Sequence, residues 1–130
     1  MATISRFEDL EIWQTARELS REVCRIADRD AFKSDYRLKS QMKAASGSVT
    51  DNIAEGFERE GNAEFKQALF ISKGSAGETR SQLYRAYDQG FITEEELTDL
   101  IYRYEKLSVK IRNFIEYLKT SDIKGFKYRK

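Results

Sequence analysis

Residues 41–57 run QMKAASGSVTDNIAEGF, a stretch with the periodicity of a packed helix. Wound as a helix at about 100° per residue, it aligns with Leu38 to set Leu38, Met42, Ala45, Val49 and Ile53 in one narrow apolar arc. Gln41, Ser48, Asn52 and Glu55 fall in a second arc directly beside it. A solvated helix scatters such polar residues over its outer face, whereas here they border the apolar seam. Ala44, Ala45, Ser46, Gly47 and Ser48 leave little side-chain bulk, so a neighbouring helix can come close. The pattern belongs to a helix packed against other helices.

The rest of the composition permits such helices almost everywhere. Proline is absent from all 130 residues, which matters because proline costs about 3 kcal/mol in a helix interior. The length suits a single domain over 1–130 with its own core. Charged residues at 35% against 40% hydrophobic fit a soluble protein with many exposed helix faces. A net charge of +1 gives no global electrostatic case for nucleic acid or membrane as a partner. Cys24 is the single cysteine and cannot form an internal disulfide, which fits a reducing cytoplasm. The residues from Met1 lack a signal-peptide pattern, and no apolar run approaches the ~20 residues of a membrane span. A cytoplasmic location without a membrane partner is the expectation.

Four amphipathic helices are expected, over about 8–30, 36–57, 63–89 and 94–119, followed by a basic tail at 120–130. The first has Ser5 and Glu8 at capping-box spacing, with Asp9 as a competing cap. Its apolar face is Ile12, Ala16, Leu19, Val23 and Ile26, with Trp13 and Cys24 at the edge of the core. Phe32 in the following connection can cover one end, and Asp35 can cap the second helix. Asn62 is a cap for the third, and Gly90 its C′ residue. The core face of the third helix reads Phe65, Ala68, Leu69, Ser72, Ala76, Leu83, Ala86 and Tyr87. Thr93 to Glu96 forms a capping box for the fourth, whose stripe runs Leu97, Leu100, Ile101, Tyr104, Leu107, Ile111, Phe114, Ile115 and Leu118. Short connections make this an all-α, antiparallel up-down-up-down four-helix bundle.

The third helix carries a second patch nearly opposite its core face: Phe70, Ile71, Gly74 and Gly77. A monomeric bundle helix needs one stripe only, and each glycine inside a helix costs about 1 kcal/mol relative to alanine. These four residues are therefore a candidate oligomer interface, with close packing inside one bundle as the alternative.

The segments FEDLEIWQTA, QMKAASGSVTDNIAEG and GSAGETRSQL resemble the four-helix-bundle family of 23S rRNA intervening-sequence proteins. The resemblance runs from about Phe7 to Leu118, and NIAEG followed by GSA-x-E makes it specific. These are small bacterial proteins, some encoded within insertions in large-subunit ribosomal RNA genes. The resemblance implies an antiparallel bundle assembling as a ring of five, with no established enzymatic activity. The motif positions it carries over are Gln41, Ser48, Asn52, Glu55, Gly74, Ser75 and Glu78.

Catalytic chemistry finds little material. There is no histidine, which removes histidine-based nucleophilic catalysis, the usual zinc sites and the Glu-x-x-His di-iron sites of bundles. No glycine-rich phosphate loop follows a strand. Catalytic, metal and cofactor residues are accordingly read as none, with no small-molecule substrate. Glu55 and Glu78 can face each other across two helices, where they would share a proton or hold a cation. The alternative is that they accept hydrogen bonds or pair with Arg80, Arg59 or Lys43. Gln41, Ser48, Asn52, Glu55 and Glu78 are read as a structural polar network fixing register or subunit orientation.

The basic candidates for nucleic acid are Arg103, Lys106 and Lys110 on the fourth helix, whose outer stripe includes Tyr117, then Lys119, Lys124, Lys127, Arg129 and Lys130. Phe126 and Tyr128 can stack on unpaired bases. The function read from the sequence is a non-enzymatic, homo-oligomeric scaffold or adaptor associated with RNA or an RNA-binding complex. The alternative is a direct nucleic-acid-binding module using the basic stripe and tail.

Overall fold

Each of the four apolar stripes forms a helix, and the computed structural model describes residues 4–120 of the chain. The helices are α1 (Glu11–Ala27), α2 (Tyr36–Glu58), α3 (Asn62–Asp88) and α4 (Glu94–Thr120), and no strand occurs among the described residues. Lys124, Lys127, Arg129 and Lys130, with Phe126 and Tyr128, lie outside those residues.

The core follows from the periodicity. Ile12, Ala16, Leu19, Val23 and Ile26 of α1 meet Leu38, Met42, Ala45, Val49 and Ile53 of α2, all buried. Phe65, Leu69, Ala76 and Leu83 of α3 and Leu100, Tyr104, Leu107, Ile111 and Ile115 of α4 complete it. α1 packs on α2 and α4, and α3 packs on the same two helices from the other side. Paired contacts climb one helix as they descend its neighbour. Gln41 meets Arg85, Ser48 meets Ser75, and Gly56 faces Ala68 between α2 and α3. Glu11 meets Lys110 and Glu22 meets Arg103 between α1 and α4.

Aromatic rings close both ends. Phe32, in the 3-10 turn Asp30–Asp35, is buried against Phe91 with ring centroids 4.8 Å apart. At the other end Phe65 packs edge-on to Phe57 and tilted against Phe114, and Phe114 meets Tyr117 at 5.9 Å.

Three local signals form as expected. The Asp35 carboxylate accepts from the Leu38 N–H at 3.0 Å and caps α2. Thr93 and Glu96 bond reciprocally, side chain to backbone N–H, at 3.1 and 2.9 Å. Gly90 takes φ +78°, letting the Phe91 N–H reach the Ala86 carbonyl and its own N–H reach Tyr87, which closes α3.

Others differ. Neither Ser5 nor Asp9 caps α1; a 3-10 turn, Phe7–Asp9, comes first, and buried Leu10 takes the cap position without a side-chain bond. Phe7 packs edge-to-face on Trp13 at 5.1 Å, and this tertiary contact accompanies the later start. Asn62 does not cap α3 either; Gly61 at φ +111° occupies that position, and Asn62 Nδ2 donates to the Leu118 carbonyl. Tyr87 is exposed rather than in the core, whereas Tyr117 is partly buried rather than on the outer stripe.

Glu96 also pairs with Arg29, which links the turn before the 3-10 segment to the start of α4. The Arg29 guanidinium, aided by the Thr93 N–H, holds its carboxyl down at about 2. Because the folded value lies below the ordinary one, the stabilisation is present above about pH 5 and fades as pH falls toward 2. The pair is partly open to solvent, so screening limits it to about 1–2 kcal/mol. Glu96→Gln should lower stability at neutral pH by that amount and leave stability near pH 2 almost unchanged, as read by urea titrations at both pH values.

Candidate functional site

Three faces of the molecule hold the candidate residues. The first is the seam between α2 and α3. Ser48 Oγ and Ser75 Oγ share a hydrogen bond of 2.9 Å, and Asn52 Nδ2 donates to both the hydroxyl and the carbonyl of Ser48. One turn deeper, the buried Ser72 hydroxyl donates to the Val49 carbonyl at 2.7 Å. Further along the seam, Gly56 lets the backbones approach: a Cβ there would sit 2.5 Å from the Ala68 Cβ and 3.1 Å from the Phe65 ring.

The expected five-residue network is therefore split. Ser48 and Asn52 are joined, with Ser75 as the third member. Gln41 accepts separately from Arg85 at 3.3 Å. Glu55 is exposed and pairs with Arg59 of its own helix at 3.8 Å, and Glu78 accepts from Gln82 at 3.5 Å. The register places Glu78 level with Ala45, ten residues from Glu55, or about 15 Å along the axis. The two carboxylates do not face each other, so neither proton sharing nor joint cation binding is open to them. Among the described residues no group of three or more acidic or thiol side chains is arranged to hold a metal.

The second face is the outer surface of α3 with the adjoining flank of α2. Phe70 and Ile71 are 52% and 47% exposed, which is high for large apolar side chains. Added Cβ atoms at Gly47 and Gly74 would meet nothing within 4 Å, and at Gly77 only the Arg80 guanidinium at 3.7 Å. Close packing inside the bundle thus does not account for Gly74 and Gly77. Ile71 also lines an open groove of about 360 Å³ with Asn52, Glu55, Ala63 and Gln67.

The third face carries cations. Of the helix-four residues read as a nucleic-acid stripe, most are already engaged. Arg103 reaches Glu22 and Glu18 of α1 and Asp99 of α4, and its guanidinium pKa is raised chiefly by the bond to Glu22. Lys110 pairs with Glu11 at 2.9 Å and Lys119 with Glu116 at 3.1 Å. Lys106 lies over the Tyr102 ring. Half of this stripe is the charged seam between α4 and α1, because α1 sets Glu18 and Glu22 opposite Arg103 and Glu11 opposite Lys110.

Cations outside the expected nucleic-acid stripe lie on the other side of α4. Lys73 and Arg80 of α3 and Arg112 of α4 line a groove of about 300 Å³ with Glu105, Ser108 and Val109. A neighbouring groove is lined by Tyr84, Tyr87 and Tyr102. Lys73, Arg80, Tyr84 and Tyr87 stand at helical spacings of seven, four and three, a signal that the sequence carries but that placing Tyr87 in the core face hides.

No curated protein matches the chain. Among solved structures, it is similar to a protein of unknown function from the S23 ribosomal protein family of Bacteroides thetaiotaomicron, at 17% identity and a TM-score of 0.72. The match covers 81% of this chain and 95% of that one, a likeness of fold. The sequence itself matches the model of one family over residues 8–113, nearly the whole of the four helices. The chain belongs to the family of the 23S rRNA-intervening sequence protein.

Proposed function

We propose that this chain is a non-enzymatic, homo-oligomeric scaffold or adaptor of an RNA-associated complex, working in the cytoplasm. The subunit is an antiparallel up-down-up-down bundle, a reading supported by the opposed numbering of contacts across neighbouring helices. One observation carries the assembly: Phe70 and Ile71 stand exposed beside Gly74, on a helix whose own core stripe is complete. An apolar patch next to a backbone that nothing approaches is suited to another helix at close range. A surface of this kind meeting a different patch on the next copy closes into a ring when the rotation allows. Five subunits is the number that the family resemblance implies. The RNA association is taken from the family's description. Among the described residues no helix is long and apolar enough to cross a membrane, and Cys24 is free of disulfides.

Purification from the native cell tests the reading. RNA or an RNA-binding protein should come away with the assembled chain after a high-salt wash of the beads has been compared with a low-salt one. A chain that leaves the column without either under both conditions overturns it.

A further inference from the structure

We propose that the two adjoining grooves between α3 and α4, which share Glu105 in their linings, together bind single-stranded nucleic acid, with phosphates at Lys73, Arg80 and Arg112 in one and bases against Tyr84, Tyr87 and Tyr102 in the other. For its ligand class this rests on the RNA-associated reading; for its place it rests on the grooves alone.

The charges in the first of these grooves differ from those elsewhere on the surface. Neither Lys73 nor Arg112 has an acidic partner among the described residues. Arg80 has one, Glu105, through a single contact of 3.5 Å with a half-exposed carboxylate. Three cations thus face one acid, while on the α1 side of the same helix Arg103 and Lys110 are neutralised. A phosphate approaching Arg80 would replace a long, solvated contact by a charge-assisted bond.

Unused hydrogen-bonding groups mark the same place. Arg80 Nε and Ser108 Oγ are buried without a partner among the described residues, and Ser108 is only 8% exposed. Orphaned buried donors are uncommon and costly. Both belong to residues lining this groove, so a small movement of the flexible Arg80 side chain opens a donor pair to an oxyanion.

The tyrosines supply the second half. Tyr84 follows Arg80 by one helical turn, and Tyr102 precedes Glu105 by about one turn on α4. Tyr84 is 50% exposed, Tyr87 38% and Tyr102 58%, and the three converge on one groove. Aromatic faces beside a cationic track are how unpaired bases and their backbone are held together without sequence preference. Glu94, which lines the tyrosine groove and not the cationic one, repels phosphate there and can accept from a base N–H such as that of uracil, which orients the strand with its bases toward the tyrosines.

The test is fluorescence anisotropy on the full chain with a labelled 12-nucleotide oligouridylate, its abasic counterpart and inorganic phosphate as competitor. The double variant Lys73→Ala/Arg112→Ala should weaken oligouridylate binding about tenfold or more. It should also reduce the salt slope by about 1.4, two single-strand phosphate contacts. Tyr84→Ala/Tyr102→Ala should weaken oligouridylate about tenfold while leaving the abasic strand unchanged. Tyr84, Tyr102 and Arg112 are exposed and Lys73 is half-buried without an ion-pair partner among the described residues, so circular dichroism should show the fold intact. Unchanged affinity and slope in the lysine–arginine variant, with loss on deleting residues 121–130, overturns the groove and leaves RNA association standing. An unaltered chain that binds no strand at low salt overturns the groove as a direct site; co-purification of an RNA-binding protein then still supports the adaptor reading. Displacement by millimolar inorganic phosphate beyond its ionic-strength effect, with no dependence on the tyrosines, reduces the groove to a free-phosphate site and overturns the strand.

Discussion

Gly56→Leu should cost about 3 kcal/mol and lower the melting temperature by roughly 10 °C for a domain of this size. At this position α2 and α3 approach closely. A single Cβ would already stand 2.5 Å from the Ala68 Cβ, with the Phe65 ring at 3.1 Å and its Cα at 3.5 Å. Ala68 is a short side chain on a packed helix, so the clash must be relieved by moving the helices apart. That movement would also disturb the Ser72 bond to Val49 and the Ser48–Ser75 contact higher on the same seam. Alanine at Gly56 should cost less, because about 1 kcal/mol of helix propensity offsets part of the strain. Gly74→Ala is the contrast. Nothing lies within 4 Å of its added Cβ, so the isolated bundle should gain up to about 1 kcal/mol. Thermal melts of both variants check the pair, and a Gly56→Leu chain as stable as the parent contradicts the packing described for α2 on α3.

Arg103→Ala should cost about 2 kcal/mol, seen as a urea midpoint lowered by roughly 1 M. Its guanidinium is 26% exposed and joins Glu18 and Glu22 of α1 to Asp99 of α4. Glu22 is 27% exposed and loses its partner, which is worse than losing a pair in open water. Screening by solvent keeps the loss below that of a fully buried pair. Arg103→Lys should recover only part, since an ammonium lacks the fork that meets several carboxylates at once. Lys106→Ala, one turn along and over Tyr102, should change stability by less than about 0.5 kcal/mol. Equal effects at Arg103 and Lys106 would contradict the assignment of Arg103 to the α1–α4 seam.

Why the sequence showed the helices but mistook some of their faces follows from what each signal encodes. Leu38, Met42, Ala45, Val49 and Ile53 repeat at helical spacing, and that repetition needs no partner to be read. The Asp35 and Thr93–Glu96 caps are equally local, each closing within three residues. Arg103 is different: its neighbours in sequence look like a basic stripe, and only the register of α1 against α4 brings Glu18 and Glu22 opposite. Glycines carry the same ambiguity. Gly47, Gly56, Gly74 and Gly77 are alike on paper, yet one is clamped between helices and the others face open space or an arginine tip. Glu55 and Glu78 looked paired because both are motif acids on adjacent helices, but the offset along the axis separates them.

The site residues divide along the same line. Ser48 and Asn52 share a face at helical spacing, which is legible in the sequence, whereas Ser75, a motif position of the family resemblance outside the network read there, joins them only through the register of α3 on α2. The Lys73–Arg80–Arg112 groove was not, because its members come from two helices and its hydroxyl, Ser108, sits on no recognisable motif.

An absolute mass tests the proposal that copies of this bundle meet through the outer face of α3. Light scattering on the full chain at tens of micromolar should give a multiple of 15.2 kDa, five-fold if the ring closes as the family resemblance implies. Under the same conditions Ile71→Glu should return the subunit mass, since a carboxylate would be driven into the contact. A parent chain that stays at 15.2 kDa contradicts the account.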